Sequence, residues 1–192
     1  MRAREGLVST YVQRLVGAAR LDPATYEEVE ADRTATGQAL LAVVLSSLAA
    51  GVGASGQDAG IAAAVFAAVG ALVGWVLWAA VVWFVGTRVL PEPQTQSDVG
   101  ELLRTTGFAA APGLVRVLGY IPLLGVPVAI AVTFWMLAAM VVGVRQALDY
   151  RGTGRALLVC GIGLLAYLGV NVLIGLVLGA SQALFGFLVG RG

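Results

Sequence analysis

Apolar residues in this chain fall into five long stretches without a charged side chain, separated by short polar gaps. Thr34 to Gln57, Ala59 to Thr87, Thr105 to Val115, Val117 to Val144 and Ala156 to Gly190 hold no Asp, Glu, Lys, Arg or His. A helix needs about 20 mostly apolar residues to cross a hydrocarbon core of about 30 Å, so these stretches predict an all-α, polytopic membrane protein. Span one is expected over Ala35 to Ala54 and span two over Ile61 to Val85, joined by the short turn Ser55 to Gly60. Span two ends in Trp75, Trp78, Trp83 and Phe84, aromatic residues that favour the boundary between hydrocarbon and headgroups. Pro91 to Gln96 reads as an extended linker, with Ser97 or Asp98 as cap of a short helix carrying Leu102 and Leu103.

The third segment, Gly107 to Tyr120, departs from this regularity. It is short, broken by Pro112, and carries Arg116. Its fourteen residues would rise only about 21 Å as an α-helix, less than the hydrocarbon thickness. Span four follows the Pro122–Pro127 turn and runs to about Val144. Span five begins near Ala156 and ends near Gly179, with an interfacial tail beyond, because the final run of 35 residues is too short for two crossings and a turn.

The polar residues separate a head, residues 1–34, from a membrane domain, residues 35–190. Within the head, Leu7, Val8, Tyr11, Val12, Leu15 and Val16 lie on one helical face flanked by Arg4, Arg14 and Arg20. That pattern suits an amphipathic helix lying on anionic headgroups, or one packed on the protein itself. Asp22-Pro23 opens a second helix, and Glu27, Glu28, Glu30 and Asp32 after it read as a solvated acidic face rather than a converging cation site. Eleven charges in the first 33 residues exclude a short secretory signal, so the amino terminus is expected to be retained.

Charge sets the orientation. Counting Arg by alternate gaps puts ten on one side and Arg191 alone on the other, which predicts a cytoplasmic amino terminus, five crossings and an external carboxyl terminus. A net charge of +1 gives no special attraction for nucleic acid. All 12 basic residues are Arg, and the absence of His excludes imidazole catalysis and His-ligated metal within the chain. No phosphate loop, paired intramembrane carboxylates or metal motif is present, so neither an enzyme activity nor a cofactor is expected. Cys160, alone in an apolar run, reads as a small helix residue.

Few residues carry candidate chemistry. Gly70–Gly74, Gly175–Gly179 and Gly186–Gly190 are each four apart and predict close helix contacts, inside one bundle or between copies. Arg116 is costly at depth unless it pairs, snorkels or meets water, so it is either a structural cation near the Pro112 break or an anchor for an anionic group. Tyr167 and Asn171 share a face of span five, where the Asn amide is expected to bridge helices.

Gly107-Phe108-Ala109-Ala110-Ala111-Pro112 after Glu101 to Thr106, and Arg155-Ala156-Leu157 at the start of span five, resemble the YIP family of Ypt/Rab-interacting membrane proteins. The resemblance covers roughly Leu15 to Val177. It implies five spans and a cytoplasmic amino terminus, and links to membrane trafficking through Rab-type GTPases among eukaryotic members. Leu21-Asp22-Pro23-Ala24-Thr25-Tyr26 stands where that family carries Asp-Leu-Tyr-Gly-Pro, so GTPase binding does not carry over. The short loops are more similar to prokaryotic members, which implies a prokaryotic cytoplasmic membrane. Three functions remain in competition: a non-enzymatic scaffold or accessory subunit joining other membrane proteins or copies of itself; a small transporter, channel or lipid-handling protein with a cavity near Arg116; and membrane shaping by the helix over Leu7 to Val16.

Overall fold

The computed structural model describes the backbone of residues 2–55 and 61–189, and side-chain surroundings for 8–54, 65–173 and 175–176. Among the described residues, seven α-helices run α1 Arg2–Ala19, α2 Pro23–Ala31, α3 Thr36–Ser55, α4 Ile61–Phe84, α5 Val99–Phe108, α6 Gly125–Ala147 and α7 Thr153–Val189. No strand occurs among the described residues. Four stretches are long and apolar enough to cross a membrane: Arg33–Ala54, Val65–Val89, Gly125–Ala147 and Thr153–Leu173. Of the expected turn at 55–60, Ser55 is the last residue of α3 and residues 56–60 lie outside the described residues. Helix α7 continues without a break to Val189, beyond the expected end near Gly179, because glycine alone does not interrupt a backbone that has no competing hydrogen-bond partner in lipid.

Local chemistry fixes the helix ends. Asp22 accepts from the Ala24 amide, with Pro23 in the first turn of α2. Asp98 and Glu101 form a reciprocal capping box that starts α5. Helix α4 leaves through a π turn, Val85–Val89. There Gly86 lets Leu148 pack against the backbone, since a Cβ would stand 2.4 Å from Leu148 Cδ1. The Tyr150 hydroxyl donates between the Gly86 and Leu90 carbonyls at 2.9 and 2.8 Å, occupying acceptors that the wider turn leaves exposed.

The head and the polar gaps 88–104 and 145–155 meet at one end of the bundle. Arg14, buried despite its charge, donates to Glu28 at 2.9 Å, to Asp32 at 2.7 Å and to Gln38 at 2.9 Å, joining α1, α2 and α3. Arg14 is therefore not a headgroup contact, because its guanidinium is spent on the acidic helix beside it. Only part of the expected α1 face turns inward: Tyr11 and Leu15 pack on the core, while Val8, Val12 and Val16 stay exposed. Arg104, also buried, donates from Nε to the Val29 and Glu30 carbonyls at 3.1 and 2.8 Å, capping the carboxyl end of α2. Gln146 reaches Glu27 and Gln94 reaches the Asp149 carbonyl, so α6 and the 91–96 linker close the same end.

Trp75, Trp78 and Trp83 are used internally rather than as a lipid belt. Trp75 is buried and donates to Thr106, Trp78 contacts Met140 sulfur, and Trp83 donates to the Ser97 carbonyl. An indole N–H inside a bundle needs an acceptor, and each finds one there. Phe84 alone of the set is exposed, at 56%.

Candidate functional site

Between α5 and α6 the chain passes through a 3-10 helix, Ala111–Tyr120. Ten residues is long for this tighter helix, which rarely exceeds four, and its rise of about 2 Å per residue carries the segment about 20 Å. Glycine contacts show where it travels. A Cβ on Gly107 would meet Ala39 Cβ at 2.7 Å, one on Gly113 would meet Ser46 Oγ at 1.9 Å, and one on Gly119 would meet the Gly53 carbonyl oxygen at 3.0 Å. The partners advance together, so the segment runs beside α3 in the same direction, from the polar end to the opposite end.

The spacing has a simple geometrical cause. Gly113 and Gly119 are six apart, two turns of a helix with three residues per turn, and Ala39, Ser46 and Gly53 are seven apart, close to two α turns. Two 3-10 turns rise about 12 Å and seven α residues about 10.5 Å, so the two stripes stay roughly in register. Phe108 and Pro112 are fully buried at the start of this strip, with Tyr11 edge-on to Phe108 at 6.2 Å. The Gly107–Pro112 motif thus packs into a buried apolar cluster with Ala39, Val43 and Trp75.

Arg116 stands near the far end of the strip. Its Nη2 donates to Thr133 Oγ1 at 3.2 Å and its Nε is buried without a partner. It lines a cavity of about 540 Å³ whose walls are mostly Gly and Ala, among them Gly53, Gly119, Gly125 and Ala129. The packing is close: a Cβ on Gly53 would lie 2.0 Å from the Arg116 carbonyl oxygen.

Tyr167 and Asn171 are not brought to Arg116. Tyr167 packs edge-on to Trp78 at 6.0 Å, and Gly74 clears the space for its hydroxyl, with a would-be Cβ at 2.8 Å. Asn171 donates back to the Tyr167 carbonyl of its own helix at 2.8 Å rather than bridging two helices, since a back-bond satisfies the amide without a partner. Gly70 and Gly175 have open space where a Cβ would be. The surroundings of Gly179, Gly186 and Gly190 lie outside the described residues.

At the polar end, a second cavity of about 840 Å³ is lined by Glu27, Glu30, Glu101 and Asp149 with Arg145 and Arg151. Carboxylates from three separate gaps therefore converge, although those of α2 taken alone read as a solvated face. Burial, then the charges of Glu101 and Asp149, raise the Glu30 carboxyl to about 7, against a smaller lowering by Arg104. Asp32 moves the other way, to about 2, held down by hydrogen bonds from Thr34 and Arg14. Burial pushes the Tyr150 hydroxyl up to about 12.

The Gly-Phe-Ala-Ala-Ala-Pro motif that carries the sequence resemblance is buried at the start of the strip beside α3, and the comparison with known families agrees with the resemblance. The family description "Yip1 domain" matches residues 21–186. The chain belongs to the Yip1 family. Comparison with curated proteins and with solved structures gives no match.

The residues of this Yip1 domain that sequence reasoning missed are Ala39, Ser46 and Gly53 on α3, with Gly113 and Gly119 opposite them. Their signal is the paired spacing of seven and six, which a search for glycines four apart passes over. In sequence Arg14 reads as a basic flank of the α1 face and Arg104 as a topology marker, and their partners, 14 to 75 residues away, are invisible to a local pattern.

Proposed function

We propose that this Yip1-family protein is a non-enzymatic integral membrane scaffold or accessory subunit that associates with other membrane proteins or with copies of itself. The observation that carries the reading is the placement of small residues on the outside of the bundle. Gly70, Gly161, Gly169 and Gly175 all have open space beside them. In lipid, helices gain by close backbone approach, and glycine on an outer face permits it where larger side chains would hold a neighbour off. Cross-linking and mass measurement in detergent, with affinity capture from membranes, test this. A strictly monomeric protein that captures no reproducible partner removes the proposal.

The proposed topology places residues 1–34 in the cytoplasm as a head, the five crossings within residues 35–190, and the carboxyl terminus outside a prokaryotic cytoplasmic membrane. The course of the 3-10 helix beside α3, from the polar end toward the opposite end, supports a third crossing, with α5 before it adding to its rise of about 20 Å. Reporter fusions at Gln57, Gly125 and Gly192 are expected to report the external side, and cytoplasmic signals at all three overturn the arrangement.

A second reading, a small transporter, channel or lipid-handling protein, is favoured by the cavity beside Arg116. Irregular helix within membrane depth is tolerated where it lines a cavity. Liposome flux or lipid scrambling that stays at background at high protein density removes it.

A further inference from the structure

The Arg116 cavity combines features that together describe an anion site. Arg116 is the charged residue among its lining residues, and none of them is a carboxylate. The described ion pairs do not include Arg116. Its one described partner, Thr133, is neutral and spends its own hydrogen on the Ala129 carbonyl at 2.7 Å. The buried Nε has no acceptor, which is a costly state for a guanidinium away from water.

A second positive element points to the same space. Gly125 and Val126, the first two residues of α6, line the cavity, and no side chain caps that helix. The start of a 23-residue helix presents unpaired amides and the positive end of its dipole, and the third residue, Pro127, has no amide to offer. Arg116 and the start of α6 therefore line one cavity, whose small residues leave room for a tetrahedral group.

The surroundings select the carrier of that group. Val126 in the cavity lining, and Val117, Leu118, Ile121 and Leu123 in the chain between the lining residues Arg116 and Gly125, are exposed, Leu123 at 95%. An anion bound here lies beside apolar surface suited to acyl chains.

We infer that the cavity formed by Arg116 and the start of α6 binds the phosphate of a phospholipid, with its acyl chains against the exposed residues of 117–126. The inference deepens the cavity reading above and rests on it for the site alone. Bound lipid can be a fixed part of the protein, so loss of flux in liposomes with binding retained removes transport and leaves the site standing.

The test uses the full chain in neutral detergent, titrated with dihexanoylphosphatidylglycerol, with dihexanoylglycerol lacking phosphate, and with inorganic phosphate, followed by melting temperature and tryptophan fluorescence. The phospholipid is expected to bind at least tenfold tighter than either fragment. Arg116→Gln is expected to lower its affinity at least tenfold, and Arg116→Lys less, because charge remains while the fork is lost. Ala129→Leu, which fills the cavity and leaves Arg116 in place, is expected to produce the same loss and provides the test if the arginine variants fail to fold. Equal binding of the phosphate-free glyceride, or full affinity in both Arg116→Gln and Ala129→Leu, overturns the site. Inorganic phosphate binding as tightly as the phospholipid overturns the lipid assignment.

Discussion

Gly53 shows how much a single hydrogen-sized side chain decides in this protein. Its missing Cβ leaves room for a backbone carbonyl, that of Arg116, which cannot turn aside as a flexible side chain would. Gly53→Ala is expected to lower stability by about 1–3 kcal/mol, the usual range for overpacking. Gly37→Ala, in the same helix with nothing within 4 Å, is expected to be neutral or stabilising by up to about 1 kcal/mol. Thermal melts of the two variants in one detergent check the contrast, and equal losses would show that the strip is not closely packed. Phe108 and Pro112 were singled out from sequence as motif residues, and their burial gives them a plain role in packing. Asn171, conspicuous because it is polar in an apolar run, bonds to its own helix.

At the scale of elements, what could be read beforehand depended on whether the determining contacts were local. The caps at Asp22 and Asp98 and the proline-broken entry to α6 follow from neighbours in sequence and appear as expected. The 3-10 helix does not, because its conformation depends on partners on α3 more than 60 residues earlier and its six-residue spacing resembles no standard helical signal. The amphipathic pattern of α1 divides for the same reason. Its Arg14 finds Glu28, Asp32 and Gln38 on later elements, so one flank is drawn inward while Val8, Val12 and Val16 face out. Arg14→Gln leaves those acceptors without their shared donor and is expected to release α1 and α2, costing roughly 1–3 kcal/mol. Hydrogen exchange should show protection lost over residues 8–31 and kept over α6; unchanged protection in α2 would assign the docking to apolar contacts alone.

At the scale of the whole molecule, most of the charge among the described residues gathers at one end, and two shifted carboxyl groups there, Asp32 and Glu30, respond to pH in opposite senses. Asp32, lowered in the fold, supports stability above its ordinary pKa of 3.8, and that support is lost as pH falls toward about 2. Glu30, raised in the fold, is tolerated while protonated. Its cost grows as pH rises from its ordinary 4.5 through about 7, when a charge joins Glu27, Glu101 and Asp149 against Arg104, Arg145 and Arg151. The polar end is therefore expected to be firmest near pH 4–5 and to loosen on both sides. Glu30→Gln should flatten the loss between pH 5 and 8 in melts of the full chain; an unaltered slope would place the alkaline response elsewhere.

Two helices of unlike pitch held in step also restrict how this gene can change length. A residue added between Gly113 and Gly119 turns everything after it by about 120° and moves Gly119 out from under Gly53. The same addition in the 91–96 linker, which adjoins no such paired spacing, shifts no glycine against α3. Single-residue insertions scanned from 91 to 120 and scored by membrane expression should pass in the linker and fail from 113 to 119. The length of the chain is thus fixed by geometry inside the strip, and an added residue is accommodated at the linker without disturbing it.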